Sequence, residues 1–336
     1  MESKNKDYVF ASSRVRGAER NLLTREKAEK MIDSKTTQDA LKILLDLDYG
    51  SADSKDGVDV SQVDELLSQE LCKTYQFIMG IAPDKEDFYA FLYPYDYHNL
   101  KVLLKAEFAE TEAEPFLIRI GSIDSGALTV MLRERNFISM SAIMRTAVLE
   151  AIDVFSRTKD PQMIDFILDK ACYAEMSLAA EKTGSGFVRE YVELLIDTIN
   201  LKTFARLREM KRSWDFFSRV FLEGGRVPEK LFVAAFDESY EQAAERMLPY
   251  GLVEVTALGG AGIRESGRFT TLEKLCDDKL VEFAEKAKFV SFGIEPLAAY
   301  LIAKEGEIRL ARIVLAALAQ GLDRDQIEER MRKTYV

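Results

Sequence analysis

Histidine occurs once in this sequence, as His98, and cysteine occurs three times, as Cys72, Cys172 and Cys276. A single histidine excludes catalytic and metal sites that need two or more histidines from one chain, such as a Ser-His-Asp triad or an HExxH zinc site. The cysteines lack the close spacing of a metal site, which predicts small buried side chains in a reduced, cytoplasmic setting. We predict that His98 is a partly buried, structural residue.

Proline and long apolar segments are also scarce. The chain has seven prolines in 336 residues, and apolar runs such as 313–319 are far shorter than the roughly 20 residues of a membrane-spanning helix. Any membrane association is therefore expected to go through another protein. Leu, Ala, Glu, Lys and Met recur at three-to-four spacing, which predicts an all-α fold. One such helix follows a cap signal at Thr36 and Thr37, and another carries the apolar stripe of 310–318.

Acidic residues outnumber basic residues in this sequence. Lys and Arg number 46 against 57 Asp and Glu, so the net charge is -11, while 47% of the residues are hydrophobic. This balance argues against general affinity for nucleic-acid phosphates or anionic lipids and favours a protein partner with basic patches. The hydrophobic content is sufficient for substantial cores.

The most informative pattern is an internal repeat with a unit of about 100 residues, longer than the repeats of helical solenoids. Polar residues recur 101 positions apart, with a more divergent third copy: Asp96, Asn99, Lys101 and Lys105; Asp197, Asn200, Lys202 and Arg206; Lys304, Glu307, Arg309 and Arg312. Upstream, Val63-Asp64 matches Ile164-Asp165 and Leu272-Glu273, after helix-start signals at Ser61, Asp160-Pro161 and Thr270-Thr271. We predict three related helical-bundle domains, 1–112, 113–215 and 216–336, around a pseudo-threefold axis, forming a funnel or cup.

The repeated polar positions have two interpretations. In the first, they fix neighbouring helices through charge-assisted hydrogen bonds. In the second, Lys101, Lys202 and Arg309 line the central hollow and contact a partner. The candidate residues for either role are Asp96, Asn99, Lys101, Asp197, Asn200, Lys202, Glu307, Arg309 and Arg312.

Three further segments deserve interpretation. The glycine-rich segment 259–269 lacks the Lys and Ser or Thr that end a P-loop, so we interpret it as a mobile interdomain or partner-contact loop, after a possible short strand at 252–255. The aromatic cluster of 88–97 has helical spacing at Phe88, Phe91 and Tyr95, which favours core packing over a docking surface. A second cluster around Trp214, the only tryptophan, is expected in a core or an interdomain seam.

Several segments, in order along nearly the whole chain, resemble a known family, the C subunits of bacterial and archaeal V/A-type ATPases, whose counterpart in the eukaryotic vacuolar enzyme is the d subunit. The segments that carry the resemblance are Tyr8 to Leu23 with Arg14-Val15-Arg16-Gly17-Ala18, Leu41 to Leu45 before Tyr49-Gly50, Asp96 to Lys101, Glu295-Pro296-Leu297 with Tyr300, and an ending with Arg309, Arg312, Ile327, Arg330 and Tyr335. The third copy departs from the pattern, with Lys304 and Glu307 in place of Asp and Asn.

The resemblance implies a non-catalytic rotor adapter without cofactor or metal. It implies a funnel of three helical bundles on the cytoplasmic face of a membrane rotor ring, with central-stalk subunits received in its cavity, and a role in ATP-linked proton or sodium transport. Its expected partners are therefore the central-stalk and rotor-ring subunits. The alternative is a helical scaffold that binds an unrelated protein or peptide in its central cavity.

Overall fold

The computed structural model describes residues 7–50 and 62–336. These residues form α-helices joined by short 3-10 segments, turns and loops, and no strand occurs among them. The prediction of an all-α fold is therefore confirmed. No helix in the described part of the chain combines the length and the apolar composition needed to cross a membrane.

The contacts between residues divide the chain into two compact units, Met1–Pro83 with Ala234–Val336, and Asp84–Val233. The first unit thus combines both ends of the chain. The three repeat domains, with boundaries after residues 112 and 215, stay a prediction from the internal sequence similarity.

The first unit is organised around its longest helix. Its helices are α1 (Val9–Ala18), α2 (Arg25–Ile32), α3 (Thr37–Leu45), α4 (Val63–Ile81), α12 (Tyr240–Arg246), α13 (Val253–Ser266), α14 (Thr270–Glu285), α15 (Ile294–Ala319) and α16 (Arg324–Glu328). The apolar stripe of α15, including Leu310 and Val314, shares one buried core with Leu41 of α3 and Leu67 of α4. Burying this stripe accounts for the position of α15 in the middle of the unit.

The second unit is built from α5 (Tyr89–Ala109), α6 (Ser125–Glu134), α7 (Ala142–Thr158), α8 (Pro161–Thr183), α9 (Gly186–Glu209), α10 (Trp214–Val220) and α11 (Glu229–Ala234), which ends at the unit boundary. The turn between α7 and α8 is short because Lys159 adopts a left-handed conformation with φ of 56° and Asp160 begins the next helix. The Asp160 side chain accepts a hydrogen bond from the Gln162 backbone N–H at 2.9 Å. Pro161, the first helical residue, needs no backbone donor there.

The predicted helix starts have different outcomes. Thr36 caps α3 by accepting a hydrogen bond from the Asp39 N–H at 3.1 Å, and Asp160 caps α8, so both predictions are confirmed. Ser61 lies outside the described residues. The helix predicted at Thr270-Thr271 does begin at Thr270, but neither threonine caps it, because the cap position is Phe269, without a side-chain hydrogen bond. The preceding helix, α13, ends at Ser266 with Gly267 as its C-cap, so only three residues separate it from α14.

The glycine-rich segment 259–269 is not the mobile loop that we predicted, and 252–255 is not a strand. Residues Val253–Ser266 form α13. Gly259 and Gly260 are buried, and a Cβ added at Gly259 would lie 2.6 Å from Leu272 Cδ1, while one at Gly260 would overlap the ring of Tyr240. These glycines therefore allow α13 to pack closely on α12 and α14.

Candidate functional site

Two of the repeated residues on α5 hold the loop that follows this helix. Asn99 forms a two-way pair with the backbone of Ile118, donating to its carbonyl at 2.8 Å and accepting from its N–H at 2.8 Å. The Asp96 carboxylate accepts hydrogen bonds from the Ser122 N–H at 3.0 Å, the Ser122 hydroxyl at 2.6 Å and the Ile123 N–H at 3.2 Å. Both side chains are fully buried. We call this arrangement, Asp96 and Asn99 with residues 118–123, the first clamp.

The second copy of the motif forms the same arrangement on α9. Asn200 donates to the Leu222 carbonyl at 2.8 Å and accepts from its N–H at 3.0 Å. Asp197 accepts from the N–H groups of Arg226 at 3.1 Å and Val227 at 2.9 Å. In both copies the Asp therefore binds backbone groups four and five residues after the residue bound by the Asn. We call Asp197 and Asn200 with residues 222–227 the second clamp.

A glycine lies against the aspartate in each clamp. A Cβ added at Gly121 would overlap Asp96 Oδ1, and one at Gly225 would overlap Asp197 Oδ1. The backbone comes so close to each carboxylate that a side chain at either position would push the loop away from its acceptor. Glycine is thus part of the motif, one residue before the first N–H donor.

Burial makes both clamp carboxyls weaker acids than an ordinary aspartic acid. It raises the pKa of Asp96 to about 6, although the bonds from Ser122 and Ile123 act in the opposite direction. It also raises the pKa of Asp197 to about 6, against the bonds from Val227 and Arg226. Each carboxyl is therefore costly to ionise in the folded protein even with its hydrogen bonds in place.

The third copy of the motif, on α15, holds the N-terminal part of the chain instead of a following loop. Glu307 accepts from the Leu23 N–H at 2.5 Å and from the Tyr49 hydroxyl at 2.6 Å. Lys304 lies between two carboxylates, with its Nζ 2.8 Å from Glu307 Oε1 and 2.9 Å from Glu70 Oε1 on α4. Leu23 thus takes the place that Ile118 and Leu222 have in the two clamps.

This ionic cluster is almost completely excluded from solvent. Lys304, Glu70 and Glu307 are 2%, 3% and 7% exposed. Burial by itself would lower the pKa of Lys304, but Glu307 and Glu70 raise it above its usual value, so the ammonium stays charged. Lys73 Nζ adds a second cation 3.0 Å from Glu70 Oε2. The buried Lys304 thus lies between the two buried glutamates, and Lys73, which is exposed, pairs with Glu70 from the surface.

The basic residues after each motif lie at the sides of the helices. Lys101 is 2.6 Å from Asp169, which joins α5 to α8, and Arg309 is 3.0 Å from Asp277, which joins α15 to α14. Lys202, at the corresponding position on α9, is half-buried and forms no ion pair with a described residue. Lys101 and Arg309 thus have the geometry of the first interpretation, and a partner contact by Lys101, Lys202 or Arg309 stays a prediction.

A second set of ion pairs follows the repeat. Lys105 of the first copy is 2.6 Å from Asp165 of the second, and Arg312 of the third copy is 3.2 Å from Asp64 of the first. Since Asp64 and Asp165 occupy matching positions in the repeat, so do the two ion pairs. The repeat is therefore present in the packing of the helices as well as in the sequence.

The aromatic clusters and the histidine lie largely where we predicted. Phe88 and Phe91 are buried, whereas Tyr95 is only partly buried. The prediction for the second cluster holds for Phe217, which is fully buried, but is wrong for Trp214, which is 48% exposed. His98 is partly buried, and its Nε2 lies 3.2 Å from the Phe116 carbonyl. No group of His, Cys, Asp and Glu in the described ranges could hold a metal ion.

The internal repeat, compared at an offset of 101 residues, did not predict the segments that the clamps hold. A signal for them exists, because an aliphatic residue, a glycine three positions later and a further aliphatic two positions after that occur at Ile118, Gly121 and Ile123 and again at Leu222, Gly225 and Val227. These residues are 104 positions apart, whereas the motifs on α5 and α9 are 101 apart, so a comparison at one fixed offset does not align them.

These features define a class of protein, a helical protein whose repeated polar motifs hold chain segments against long helices. The family model of the ATP synthase (C/AC39) subunit matches residues 11–330. The chain belongs to this family.

Similarity to individual family members extends over nearly the whole chain. This chain is 27% identical to the C subunit of the V-type sodium ATPase of Enterococcus hirae, over 98% of this chain and 99% of that protein. It is 23% identical to the C subunit of the V-type ATP synthase of Thermus thermophilus, over 97% and 98% of the two chains. The C subunit of the A-type ATP synthase of Desulfurococcus sp. is also 23% identical, over 96% of this chain and 90% of that protein.

Proposed function

We propose that this chain is a non-catalytic adapter that joins the central stalk of a V/A-type rotary ATPase to its membrane rotor ring. In this role it transmits rotation between ATP chemistry in the head and the transport of protons or sodium ions. The observation that carries the proposal is the match of the family model over residues 11–330, together with relatives of nearly equal length that are named as the C subunits of V-type enzymes.

The internal hydrogen bonding supports this role on physical grounds. An adapter that transmits torque must resist deformation, and loops are ordinarily the most mobile parts of a helical protein. Here buried Asp and Asn side chains on α5 and α9 hold the loops at 118–123 and 222–227. The buried Lys304 cluster joins α15 to α4 and to the N-terminal segment. Hydrogen bonds to buried charged groups are among the stronger ones in proteins.

The surface charge agrees with a role that depends on binding. A chain with a net charge of -11 is suited to partners with basic surfaces, because complementary potentials speed association and fix orientation. In this proposal the partners are the stalk subunits and the rotor-ring subunits of the same enzyme.

Removal and add-back of this chain test the proposal. Enzyme reconstituted in liposomes without the chain should lose ATP-driven ion pumping while the head retains part of its ATP hydrolysis. Adding purified chain should restore pumping, and so should a Gly80→Ala variant, since Gly80 lies in open space. Pumping that persists without the chain would refute the adapter role.

A tagged chain tests the partners directly. It should recover both ring and stalk subunits from native membranes solubilised in mild detergent. Recovery of unrelated soluble proteins alone would instead favour the helical scaffold.

A further inference from the structure

The second unit has an open apolar groove whose walls are three helices. The groove is formed by α7, α8 and α10 and has a volume of about 740 Å³. Its apolar surface comes from Ile143 on α7, Phe166 and Ile167 on α8, and Phe216 on α10. All four side chains are only partly buried. The groove is therefore a surface feature next to the core and not a gap inside it.

Apart from the buried Ala147 and Ala171, this surface is additional to the stripe that each helix buries in the core. On α7 the buried residues include Met144 and Val148, while Ile143 turns toward the groove. On α8 the buried residues include Ile164 and Leu168, while Ile167 lines the groove. A helix with one core stripe needs no second apolar stripe for its own folding. The apolar surface that these helices do not bury in their own core is therefore available for contact with a partner.

One pair of rings borders both this groove and a second depression. Phe166 and Phe216 pack edge to face with their centroids 5.8 Å apart, and a second depression of about 430 Å³ lies against the same two rings. Along α8, the groove itself is lined by residues from Met163 to Ala171. Nine helical residues rise about 14 Å, which is the length of about two and a half turns of a partner helix.

The charges at the rim identify the chemistry of the occupant. Lys170 and Arg219 lie at the edge of the groove, are exposed, and form no ion pair with a described residue. Glu150 is the one acidic residue that lines the groove, so its rim is net positive although the chain is strongly acidic. Acidic side chains on the occupant would complement Lys170 and Arg219.

The groove suits a helix better than a small molecule. Small-molecule sites have a few polar groups that converge inside the pocket. Here the Thr146 hydroxyl is already used by the Ala142 carbonyl, at 2.8 Å, and the charges lie at the rim. Apolar floor, helical walls and charged rim together match the recognition of an amphipathic helix by its apolar face. We propose that the groove between α7, α8 and α10 binds an acidic amphipathic helix of another protein. The proposal is independent of the rotor-adapter role.

Two synthetic helical peptides test the proposal. Both carry the same row of leucines at i, i+3, i+4 and i+7, and one has glutamates beside the row where the other has lysines. Binding to the full chain is measured by fluorescence anisotropy of the labelled peptides. The emission of Trp214, on the same short helix as Phe216, gives a second readout. The acidic peptide should bind at least tenfold more tightly than the basic one.

Variants locate the binding in the groove. The double variant Lys170→Glu/Arg219→Glu should reverse the preference between the peptides, and Ile143→Ser should weaken the acidic peptide at least fivefold. Leu149→Ser, which removes an exposed leucine of α7 that does not line the groove, is the matched control and should change neither affinity. Circular dichroism verifies that each variant is folded.

Three outcomes would overturn the proposal. The first is equal affinity for the two peptides, or no binding of either. The second is an equal loss in the Ile143→Ser and Leu149→Ser variants, because binding would then not be specific to the groove. The third is concentration-dependent self-association of the chain that Ile143→Ser abolishes, because the occupant would then be a second copy.

Discussion

The buried carboxyl of Asp96 makes the stability of the first clamp depend on pH. An Asp96→Asn substitution removes the titration while keeping the shape of the side chain. It also replaces an oxygen acceptor by an amide donor that faces the donors of Ser122 and Ile123. Asparagine does not titrate, so only the wild-type side chain changes its charge with pH. The difference between wild type and variant as a function of pH therefore isolates the titration.

The sign and the size of this pH-dependent difference follow from the pKa of Asp96. Burial raises the pKa of Asp96 from 3.8 to about 6, which corresponds to about 3 kcal/mol between the two protonation states. Between these values the folded chain holds the proton and the unfolded chain releases it. The contribution to stability is therefore fully present below pH 3.8 and is lost as the pH rises through about 6. Relative to Asp96→Asn, wild type should lose about 3 kcal/mol between about pH 4 and pH 7.

Urea unfolding at a series of pH values, followed by the emission of Trp214 in the same unit, measures this difference. Asp197→Asn should behave in the same way, because the pKa of Asp197 is also raised to about 6. The double variant should show about twice the change, since the clamps share no hydrogen-bond partner. A difference that is flat, or that grows with pH, would show that the hydrogen bonds outweigh burial and keep the carboxylate ionised.

Three further predictions concern the glycines, the buried lysine and the unpaired lysine. Gly225→Ala should lower the free energy of unfolding by about 2–4 kcal/mol, because its Cβ would displace the clamp. Gly80→Ala, in open space, should raise it by up to about 1 kcal/mol; urea unfolding followed by circular dichroism measures both variants. Lys304→Met leaves two buried glutamates without this cation and should cost about 3–5 kcal/mol, measured by thermal and urea unfolding; a change below about 1 kcal/mol would contradict the buried-cluster argument. Lys202→Ala should change stability by less than about 0.5 kcal/mol but weaken assembly with partner subunits, whereas Lys101→Ala should cost up to about 1 kcal/mol by removing its ion pair. Unchanged assembly of Lys202→Ala would reject its proposed partner contact.

The helical content and several helix ends follow from the sequence because they depend on local chemistry. Thr36 and Asp160 are effective caps wherever the rest of the chain goes, since each accepts a hydrogen bond from an N–H two or three residues later. The repeat of Asp96 and Asn99 at Asp197 and Asn200 was visible for the same reason, because each pair lies on one helix at a spacing of three.

Tertiary contacts override local signals where helices pack closely. Four glycines within 259–267 predict a loop by composition, yet 253–266 is helical. The loss of helix propensity at Gly259 and Gly260 is offset by close packing on Leu272 and Tyr240, which larger residues would prevent. Such a gain depends on neighbours that are distant in sequence or on another helix, so propensity cannot reveal it.

The sequence by itself determined that the chain is helical, acidic and repeated, because composition, periodicity and spacing are properties of the chain as written. Only the tertiary structure decided what the repeated residues bind. Asp96 and Asp197 hold loops that follow their helices, whereas Glu307 holds Leu23, which lies 284 positions away. A hydrogen bond depends on two groups meeting in space, and the same motif therefore accepts whichever backbone segment the fold brings to it.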